Sequence, residues 1–342
     1  MTRKSNDDKI AINKCVNRTS QHAKEKNTLF SLHEKLKLKS KFNDILTIGE
    51  LLIDMVSLKE KKDYYVQFFG GSPANIALNT KMLGANSIVC SAVGKDRFGE
   101  FLTSQLKAAD MDTGYIQYVE EPTSLVVSNQ SNGTPKPLFY RMADYKLKYT
   151  LELESAIENS KILHFSTWPI SMEPARHTME QTLEKAKQVQ TLICFDPNFH
   201  PAIWKDPEEG KEYTKSIISK VDIIKPSEDD AERIFGADKA EAQVEKFIEL
   251  GAKLVIMTLG KEGAIVSNGS EFLEVPTLAT EVVNTTGAGD AFWAGFYASV
   301  VNGDSIKQAV SCGSAASAFK LKHLNSVAKL PDLQTLKEGY KI

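Results

Sequence analysis

The chain has 342 residues, of which 42% are hydrophobic and 25% charged, and its formal net charge at pH 7 is −2. This length suits one large α/β domain or two smaller ones, and the near-neutral charge argues against nucleic acid or an anionic membrane as a partner of the main body. The sequence has neither an apolar run of the roughly 18 residues that a membrane helix needs nor the apolar core of a secretion signal, so we expect a cytoplasmic protein.

Cysteine and histidine positions argue against a disulfide framework and a zinc site. The four cysteines lie far apart and form no Cys-x-x-Cys pair, so we expect reduced thiols. The six histidines lack the spacing of metal ligands.

The first 41 residues form a lysine-rich extension. They contain eleven Lys or Arg against four Asp or Glu. Leu29, Leu32 and Leu36 have the i, i+3, i+7 spacing of a short amphipathic helix. We interpret residues 1–41 as an extension that is disordered or lightly docked and has no catalytic role.

From Phe42 onward, β-rich runs alternate with helical segments, which predicts one domain over residues 42–342. Most of the runs are continuously apolar, as strands of a parallel sheet covered on both faces should be. This alternation is typical of a three-layer α/β/α core. The predicted strands are Ile45–Ile48, Ile88–Val93, Ile162–Phe165, Leu192–Phe195, Ile223–Ile224 and Leu254–Met257.

Two stretches, about 51–69 and 124–141, read as strands without crossover helices. Asn132-Gly133 is typical of a hairpin turn. We predict that these stretches form a small separate β-sheet lying over a cleft as a lid that excludes water. The alternative is an antiparallel extension of the main sheet.

The segment after the first of these stretches predicts a helix with a ligand at its start. Ser72 suits the cap, Pro73 the first helical position and Gly84 the stop. Gly70 and Gly71 would let a polyol approach the backbone. Asn75 offers both donors and acceptors to hydroxyl groups.

A carboxylate precedes this segment. Asp54 follows a strand-like run and could accept hydrogen bonds from two neighbouring hydroxyls. The alternative for Asp54 is a residue in a surface turn.

The run Asn284-Thr-Thr-Gly-Ala-Gly-Asp290 stands directly before an apolar helix at Ala291–Val301. Gly287, Ala288 and Gly289 would present backbone N–H groups at a helix N-terminus, where an anion such as phosphate binds. Asp290 would then lie beside that anion, where it could take a proton from an attacking hydroxyl. The alternative for Asp290 is a residue that merely complements the helix dipole.

A second glycine motif, Thr258-Leu-Gly260-Lys-Glu-Gly263, follows the last predicted strand and could pack against a nucleotide. A plain hairpin turn is the alternative for this motif. The sequence contains no Walker loop and no dinucleotide fingerprint. An NAD-dependent oxidoreductase, the rival reading of the alternating core, would need that fingerprint after the first strand.

Several motifs occur in one order along the chain, and together they resemble the ribokinase-like, or phosphofructokinase-B-type, family of sugar kinases. The resemblance covers Phe42 to Leu330. It implies a ribokinase-like core, a small β-sheet lid that often pairs two subunits, and the use of ATP and Mg²⁺. The motifs are Gly49-Glu-Leu-Leu-Ile-Asp54, Gly70-Gly-Ser-Pro-Ala-Asn-Ile-Ala77, Gly94-Lys-Asp-Arg-Phe-Gly99, Asp196-Pro-Asn-Phe-His-Pro201 with Trp204, Thr258-Leu-Gly-Lys-Glu-Gly263 and Thr285-Thr-Gly-Ala-Gly-Asp290.

The resemblance also implies a role for particular positions. Asp290 matches the catalytic base, and Gly287, Ala288 and Gly289 match the anion hole. The sugar-contacting positions are Gly70, Gly71, Asn75 and Asp54. The nucleotide positions are Asn198 and Lys225 near the phosphates, Thr258, Gly260 and Gly263 in the nucleotide site, and Gly313 and Ala316 in the adenine pocket.

The chain departs from the family pattern in four places. Asn284 replaces an Asp that commonly helps to bind a monovalent cation, and the segment 322–326 lacks the usual nearby glycine. Both changes predict little activation by potassium. Asp230 replaces a Glu tied to magnesium and phosphate and could act through water. His200 replaces an arginine common after Asp-Pro-Asn.

The motifs are most similar to the fructokinase branch, so fructose is the expected acceptor. Kinases for 2-keto-3-deoxygluconate and 5-dehydro-2-deoxygluconate share most of the motifs and remain alternatives, as does a non-catalytic sugar sensor. A sugar acid would be met by arginine. Arg141 in the lid could supply one, but His200 is a poorer partner for a carboxylate at neutral pH, which favours a neutral sugar.

Overall fold

The computed structural model describes residues 30–58, 63–128, 137–323 and 329–342. The described strands are β1 (Asn43–Ile48), β2 (Leu52–Ser57), β3 (Tyr65–Gly70), β4 (Ser87–Gly94), β5 (Ile116–Val119), β6 (Leu125–Ser128), β7 (Leu138–Tyr140), β8 (Ser160–Ser166), β9 (Leu192–Asp196), β10 (Ile223–Ile224), β11 (Leu254–Thr258), β12 (Ala264–Ser267) and β13 (Phe272–Val275). The described α-helices are α1 (Ser72–Met82), α2 (Arg97–Ala108), α3 (Leu151–Glu158), α4 (Thr167–Ile170), α5 (Ala175–Gln188), α6 (Pro207–Ile218), α7 (Glu228–Phe235), α8 (Ala240–Glu249), α9 (Ala288–Asn302), α10 (Ile306–Leu321) and α11 (Leu333–Tyr340).

The large sheet has the strand order β13-β12-β11-β10-β9-β8-β1-β4-β5. All pairs from β5 to β11 are parallel, and β12 and β13 add an antiparallel edge. All six strands predicted from the sequence are present in this sheet. The prediction of a mostly parallel α/β core is therefore confirmed.

Both faces of the large sheet are covered by helices. Neighbouring residues of β1 point to opposite faces, and Ile45 packs in the same cluster as Trp293 of α9. Leu46 packs in the cluster that contains Met179 of α5. Because each face is buried, the strands are apolar along their whole length, which is why they show no alternation in the sequence.

The two stretches without crossover helices form a separate sheet with the order β3-β2-β6-β7. Strand β2 pairs antiparallel with β3 and parallel with β6. The prediction of a small separate sheet is confirmed, and the alternative of an extension of the main sheet is wrong. The hairpin turn predicted at Asn132-Gly133 lies outside the described residues. The role of this sheet as a lid stays a prediction.

The described part of the N-terminal extension is docked on the body without forming a helix. Leu32 and Leu36 are buried in the core, but residues 32–35 form a turn, a bend and a bridge, and no helix. The Leu32 carbonyl accepts a hydrogen bond from Lys307 N (2.8 Å), and the Glu34 carbonyl accepts one from Ile306 N (3.1 Å). These carbonyls bond to the start of α10, so the amphipathic helix predicted here is wrong. Leu29 lies outside the described residues, and the boundary at residue 42 stays a prediction.

No helix in the described ranges is long and apolar enough to cross a membrane. Cys90, Cys194 and Cys312 are buried free thiols, as the sequence predicts. Cys15 lies outside the described residues.

Candidate active site

Polar residues collect where the parallel strands of the large sheet end. Glu50 lies two residues after β1, Asp196 ends β9, and Lys225 directly follows β10. In the sheet, β1 lies between β4 and β8. Strands β4 and β5 are added on one side of β1, and strands β8 to β11 are added on the other side. Ligands of open α/β sheets bind in the crevice outside the carboxyl ends of the strands at such a point.

The N-terminal ends of α1 and α9 meet in this crevice. Asp290, in the first turn of α9, accepts a hydrogen bond from Ser72 Oγ at 2.7 Å and one from Asn75 Nδ2 at 2.9 Å. The sequence predicted Ser72 as the cap of α1, and this prediction is wrong. The cap is Gly71, which has no side chain, and Ser72 is the first helical residue. Its hydroxyl therefore remains available to hold Asp290 across the cleft.

The surroundings of Asp290 favour the protonated form of its carboxyl group. Burial raises its pKa, although the hydrogen bonds from Ser72 and Asn75 act in the opposite direction. Each oxygen of the carboxyl group accepts one of these two hydrogen bonds, Oδ1 from Ser72 and Oδ2 from Asn75. A group held in this way, with a raised pKa, is suited to accept a proton from a nearby hydroxyl.

The loop before Asp290 presents backbone amides at the start of α9. Gly287 has φ +79° and caps the helix, as the sequence predicted for this glycine-rich turn. The amide of Ala288 donates to Thr285 O at 3.2 Å, but the amides of Gly287 and Gly289 donate to no acceptor within the described ranges. These two amides at a helix N-terminus can receive an anion.

A buried ion pair lies behind this loop. Lys225 Nζ is 3.0 Å from Asp196 Oδ2, and a Cβ atom on Gly289 would lie 3.6 Å from Lys225 Nζ. Asp196 also accepts a hydrogen bond from Trp293 Nε1 at 2.8 Å. The positive charge predicted near the phosphates is therefore placed beside the amides. Asp196 was missed as a site residue, although its position in the Asp-Pro-Asn motif was a usable signal.

The positions predicted to contact a sugar lie together at the start of α1. A Cβ atom on Gly70 would lie 2.5 Å from Asp54 Oδ2, so only glycine leaves room for that carboxyl group. Asp54 is close enough to Asp290 for the two charges to interact. Asn75 Oδ1 is buried and has no hydrogen-bond partner among the described residues. These groups can bind hydroxyl groups of a ligand.

Glu50 supports this arrangement and was not predicted. Its side chain is 3% exposed, and Oε1 accepts a hydrogen bond from Ser72 N at 3.0 Å. Burial raises the pKa of Glu50 to about 8. Glu50 therefore holds the backbone of the residue whose hydroxyl binds Asp290. The signal in the sequence was a charged residue directly after Gly49, which follows a buried strand.

Arg141, predicted as a substrate contact, is saturated by protein groups. Its Nε and Nη2 atoms lie 2.8 and 2.6 Å from Asp144 Oδ2, and Nη2 also donates to Trp168 O at 3.1 Å. The Arg141 side chain is 7% exposed. Because its charge is already paired, Arg141 is poorly placed to meet a substrate carboxylate.

His200 lies in the same region and packs against Phe139 of β7, with 4.9 Å between the ring centroids. Burial, and secondly the charge of Arg233, lower its pKa. His200 is therefore neutral at pH 7, as the sequence analysis assumed.

The predicted nucleotide positions are distributed over two regions. Gly260 and Gly263 lie in the antiparallel connection between β11 and β12, where Gly263 has φ +95° and Leu259 N donates to Gly263 O at 2.8 Å. The hairpin turn given as the alternative for this motif is present. Asn198 is exposed after β9 with φ +38°. Contact of these residues, and of Thr258 at the end of β11, with a nucleotide stays a prediction.

Gly313 and Ala316 lie in α10, on the side that packs against α9. A Cβ atom on Gly313 would be 2.9 Å from Phe292, and Ala316 is fully buried in a cluster with alanines of α9. The structure therefore gives both positions a role in close helix packing. Their predicted role in the adenine pocket stays a prediction.

The described residues do not fit a magnesium ion held by the protein. Asp230 accepts hydrogen bonds from Phe199 N through Oδ1 (2.7 Å) and from Ser227 N and Oγ through Oδ2 (2.9 and 2.6 Å). It forms the capping box of α7. No group of three His, Cys, Asp or Glu in the described ranges could hold a metal. A magnesium ion bound by nucleotide phosphates and water needs no such group, and the contact of Asp230 through water stays a prediction.

The titration of Asp54 leads to a testable pH dependence. Burial, and secondly the charge of Asp290, raise the pKa of Asp54 to about 7. The stability that this group contributes is complete below its unfolded pKa and is lost as the pH rises through about 7. A ligand whose hydroxyls donate to the carboxylate compensates for that loss. We therefore expect KM for the sugar to fall by about 3–10-fold from about pH 6 to about pH 8.

The Asp54→Asn variant separates this effect from ionisation of the substrate itself. We expect KM to rise by about 10–100-fold and its dependence on pH to flatten, with kcat changed less. Steady-state kinetics across this pH range for both proteins measure the effect. An equal pH slope of KM in the two proteins would contradict a role for Asp54 in sugar binding.

The chain is similar to known proteins over most of its length. The sequence profile described as pfkB family carbohydrate kinase matches residues 43–333. The chain is 50% identical over 318 residues to the ATP-dependent 6-phosphofructokinase of Thermoanaerobacterium thermosaccharolyticum, covering 92% of this chain and 99% of that protein. It is 30% identical over 276 residues to the probable fructokinase-2 of Arabidopsis thaliana, covering 77% and 83%. The solved structure of Halothermothrix orenii fructokinase is similar with a TM-score of 0.72 and 37% identity, covering 79% of this chain and 97% of that chain.

Proposed function

This chain belongs to the pfkB family of carbohydrate kinases, and we propose that it uses ATP to phosphorylate a primary hydroxyl of a fructose-type sugar, with fructose 6-phosphate as the preferred acceptor. The observation that carries the choice of acceptor is the 50% identity, over nearly the whole of both chains, to an ATP-dependent 6-phosphofructokinase. The sequence motifs are shared across kinases of several sugars and do not distinguish a phosphorylated acceptor from a neutral one.

Asp290 is the proton acceptor in this proposal. Ser72 and Asn75 each donate to one oxygen of its carboxyl group, and Asp54 and Asn75 Oδ1 orient the hydroxyls of the sugar. The primary hydroxyl attacks the γ-phosphorus of ATP in line, the bond from that phosphorus to the leaving ADP oxygen breaks, and Asp290 takes the hydroxyl proton. Because the transition state is loose, proton removal is late and positioning supplies most of the acceleration.

The start of α9 stabilises the phosphoryl group during transfer. The amides of Gly287 and Gly289 and the dipole of a 15-residue helix face the developing negative charge. Lys225, held by Asp196 at 3.0 Å, adds a positive charge beside them. Because the amides, Lys225 and Asp196 are already held in place, these groups need to move little when the reaction occurs.

Unphosphorylated fructose is the second candidate acceptor, and two observations favour it. Arg141 is paired with Asp144 and is not free to bind a phosphate group. Asp54 and Asp290 bring two carboxyl groups to the start of α1, and the ionised forms of these groups oppose a phosphorylated sugar. The 37% identity to a fructokinase of known structure points in the same direction.

A coupled assay of ADP release over a panel of acceptors tests the proposal. We expect kcat/KM for fructose 6-phosphate to exceed that for fructose by about 10–100-fold, the value of one charge-assisted hydrogen bond to the phosphate. The panel includes 2-keto-3-deoxygluconate, 5-dehydro-2-deoxygluconate, ribose and nucleosides. Turnover of fructose alone selects the second candidate, and preference for a sugar acid contradicts both.

Two expectations from the sequence stay predictions. One is a homodimer that forms through the small β-sheet, which sedimentation of the purified protein would test. The other is a cytoplasmic location, which imaging of a tagged copy would test.

A further inference from the structure

A lysine is buried behind the phosphate-binding loop without an ion-pair partner. Lys320, in the last turn of α10, is 0% exposed. Its Nζ donates to the backbone carbonyl of Asn284 at 2.9 Å, and it forms no ion pair within 4 Å among the described residues. Burial of an ammonium group costs free energy. A lysine kept in this environment therefore indicates a function that offsets the loss of stability.

The carbonyl that Lys320 holds begins the loop that leads to Asp290. The same end of α10 holds the loop through its backbone, since Leu321 O accepts hydrogen bonds from Val283 N (2.8 Å) and Asn284 N (3.3 Å). Within the loop, Thr286 N donates to Asn284 Oδ1 at 2.9 Å. Residues 283–286 are thus fastened at several points immediately before the amides of Gly287 and Gly289.

The charge of Lys320 also acts on the reacting groups. Burial lowers the pKa of Lys320 to about 8, and the Asp290 carboxylate opposes this change. An ammonium group near Asp290, at the base of an anion-binding loop, stabilises negative charge at both places through a medium of low dielectric constant.

We propose that Lys320 is a positioning residue for phosphoryl transfer, whose ammonium group holds the loop 284–287 as a built-in monovalent cation. A carbonyl oxygen 2.9 Å from a compact positive charge is the contact that a potassium or ammonium ion would make. The inference rests on the proposed kinase activity. It accounts for the predicted weak effect of potassium, since the positive charge is part of the chain.

Removal of this charge should create a dependence on free cations. We expect Lys320→Met to lower kcat by about 10–100-fold with a smaller change in KM for the sugar, and ammonium or potassium chloride to restore activity by at least about threefold at constant ionic strength. Lys320→Gln retains a donor without the charge, and we expect the same cation response from it. Lys307→Met, at an exposed position in the first turn of the same helix, is the matched control and should behave as wild type.

Activity and thermal unfolding of all four proteins are measured in sodium, potassium and ammonium chloride. Potassium should change wild-type kcat by less than about twofold. The inference is overturned if a folded Lys320 variant keeps wild-type kcat without added potassium or ammonium, or if its lost activity does not respond to either ion. A several-fold stimulation of wild type by potassium also overturns it. Absence of wild-type kinase activity on the acceptor panel instead contradicts the proposed function.

Discussion

We expect Asp290→Asn to lower kcat by about 10²–10⁴-fold while KM for ATP and for the sugar changes by less than about threefold. Asparagine has nearly the same shape, and its single carbonyl oxygen can still accept the hydrogen bond from Ser72 Oγ, which is 2.7 Å in the native protein. Its NH2 group replaces the oxygen that accepts from Asn75 Nδ2, and rotation of the Asn75 amide by about 180° would let the unpartnered Asn75 Oδ1 accept from that group. It cannot accept the proton of the attacking hydroxyl. Because that proton moves late in a loose transition state, the remaining activity reflects the binding and positioning by the rest of the site.

The stability of the same variant distinguishes a catalytic role from a structural one. Burial raises the pKa of Asp290, so ionisation of this group opposes folding at neutral pH. We therefore expect the Tm of Asp290→Asn to be equal to or higher than that of wild type. A fall in kcat without a fall in Tm would indicate that Asp290 serves catalysis and that the stability of the fold does not require its carboxyl group.

The matched control is Asp229→Asn, which removes an exposed carboxylate from the first turn of α7. We expect wild-type kcat from this variant. Steady-state rates of ADP release, with thermal unfolding of each protein, provide the measurement. Near-wild-type turnover by Asp290→Asn would rule out Asp290 as the base.

We expect Gly71→Ala to abolish most activity and to reduce the free energy of unfolding by about 3 kcal/mol or more. Gly71 has φ +106°, and an added Cβ would lie 2.3 Å from Glu50 O and 3.1 Å from Leu51 Cα. Both neighbouring atoms belong to the backbone, so a change of rotamer cannot relieve the clash. Movement of Gly71 would displace Ser72, which holds Asp290 through its hydroxyl and is held by Glu50 through its amide.

Gly84→Ala separates the strain of the backbone from the clash. Gly84 ends α1 with φ +97°, but a Cβ there would meet nothing within 4 Å. We expect this variant to lose only about 1–2 kcal/mol and to keep its kcat. Chemical denaturation and kcat/KM of both variants check the comparison. Equal losses in the two proteins would show that backbone strain, and not contact with Glu50, makes glycine necessary at position 71.

Local patterns were sufficient to predict the elements of the fold. The strands from Ile45 to Met257 are apolar along their length because both sheet faces are buried, and this signal needs no knowledge of the partner strands. The small sheet was predicted from two β-rich stretches that have no crossover helix. The helix predicted at Leu29, Leu32 and Leu36 was wrong because backbone groups of Leu32 and Glu34 pair with α10, a partner about 270 positions away in the chain.

The motifs also predicted which residues would form the site, but they carried less information about the acceptor. In the proposed function, glycine-rich turns and the carboxyl groups at Asp54 and Asp290 serve the transfer of phosphate to a hydroxyl group, whichever sugar carries that hydroxyl. The choice between fructose and fructose 6-phosphate depends on charges farther from the reacting atoms. Arg141 is an example. Whether it can bind an anionic substrate depends on whether Asp144 already forms an ion pair with it, and the sequence motifs do not reveal that pair.

Composition and periodicity determined by themselves that this chain has an α/β core with Asp290 at the start of a helix, because these features arise from neighbours in the chain, whereas the kinase activity was implied by the resemblance of its motifs to a known family. Only the tertiary structure decided which groups act on one another. Ser72 and Asp290 are separated by 218 positions, and Lys320 and Asn284 by 36. Hydrogen bonding, burial and the pKa of a carboxyl group depend on distances in space between residues that are far apart in the chain.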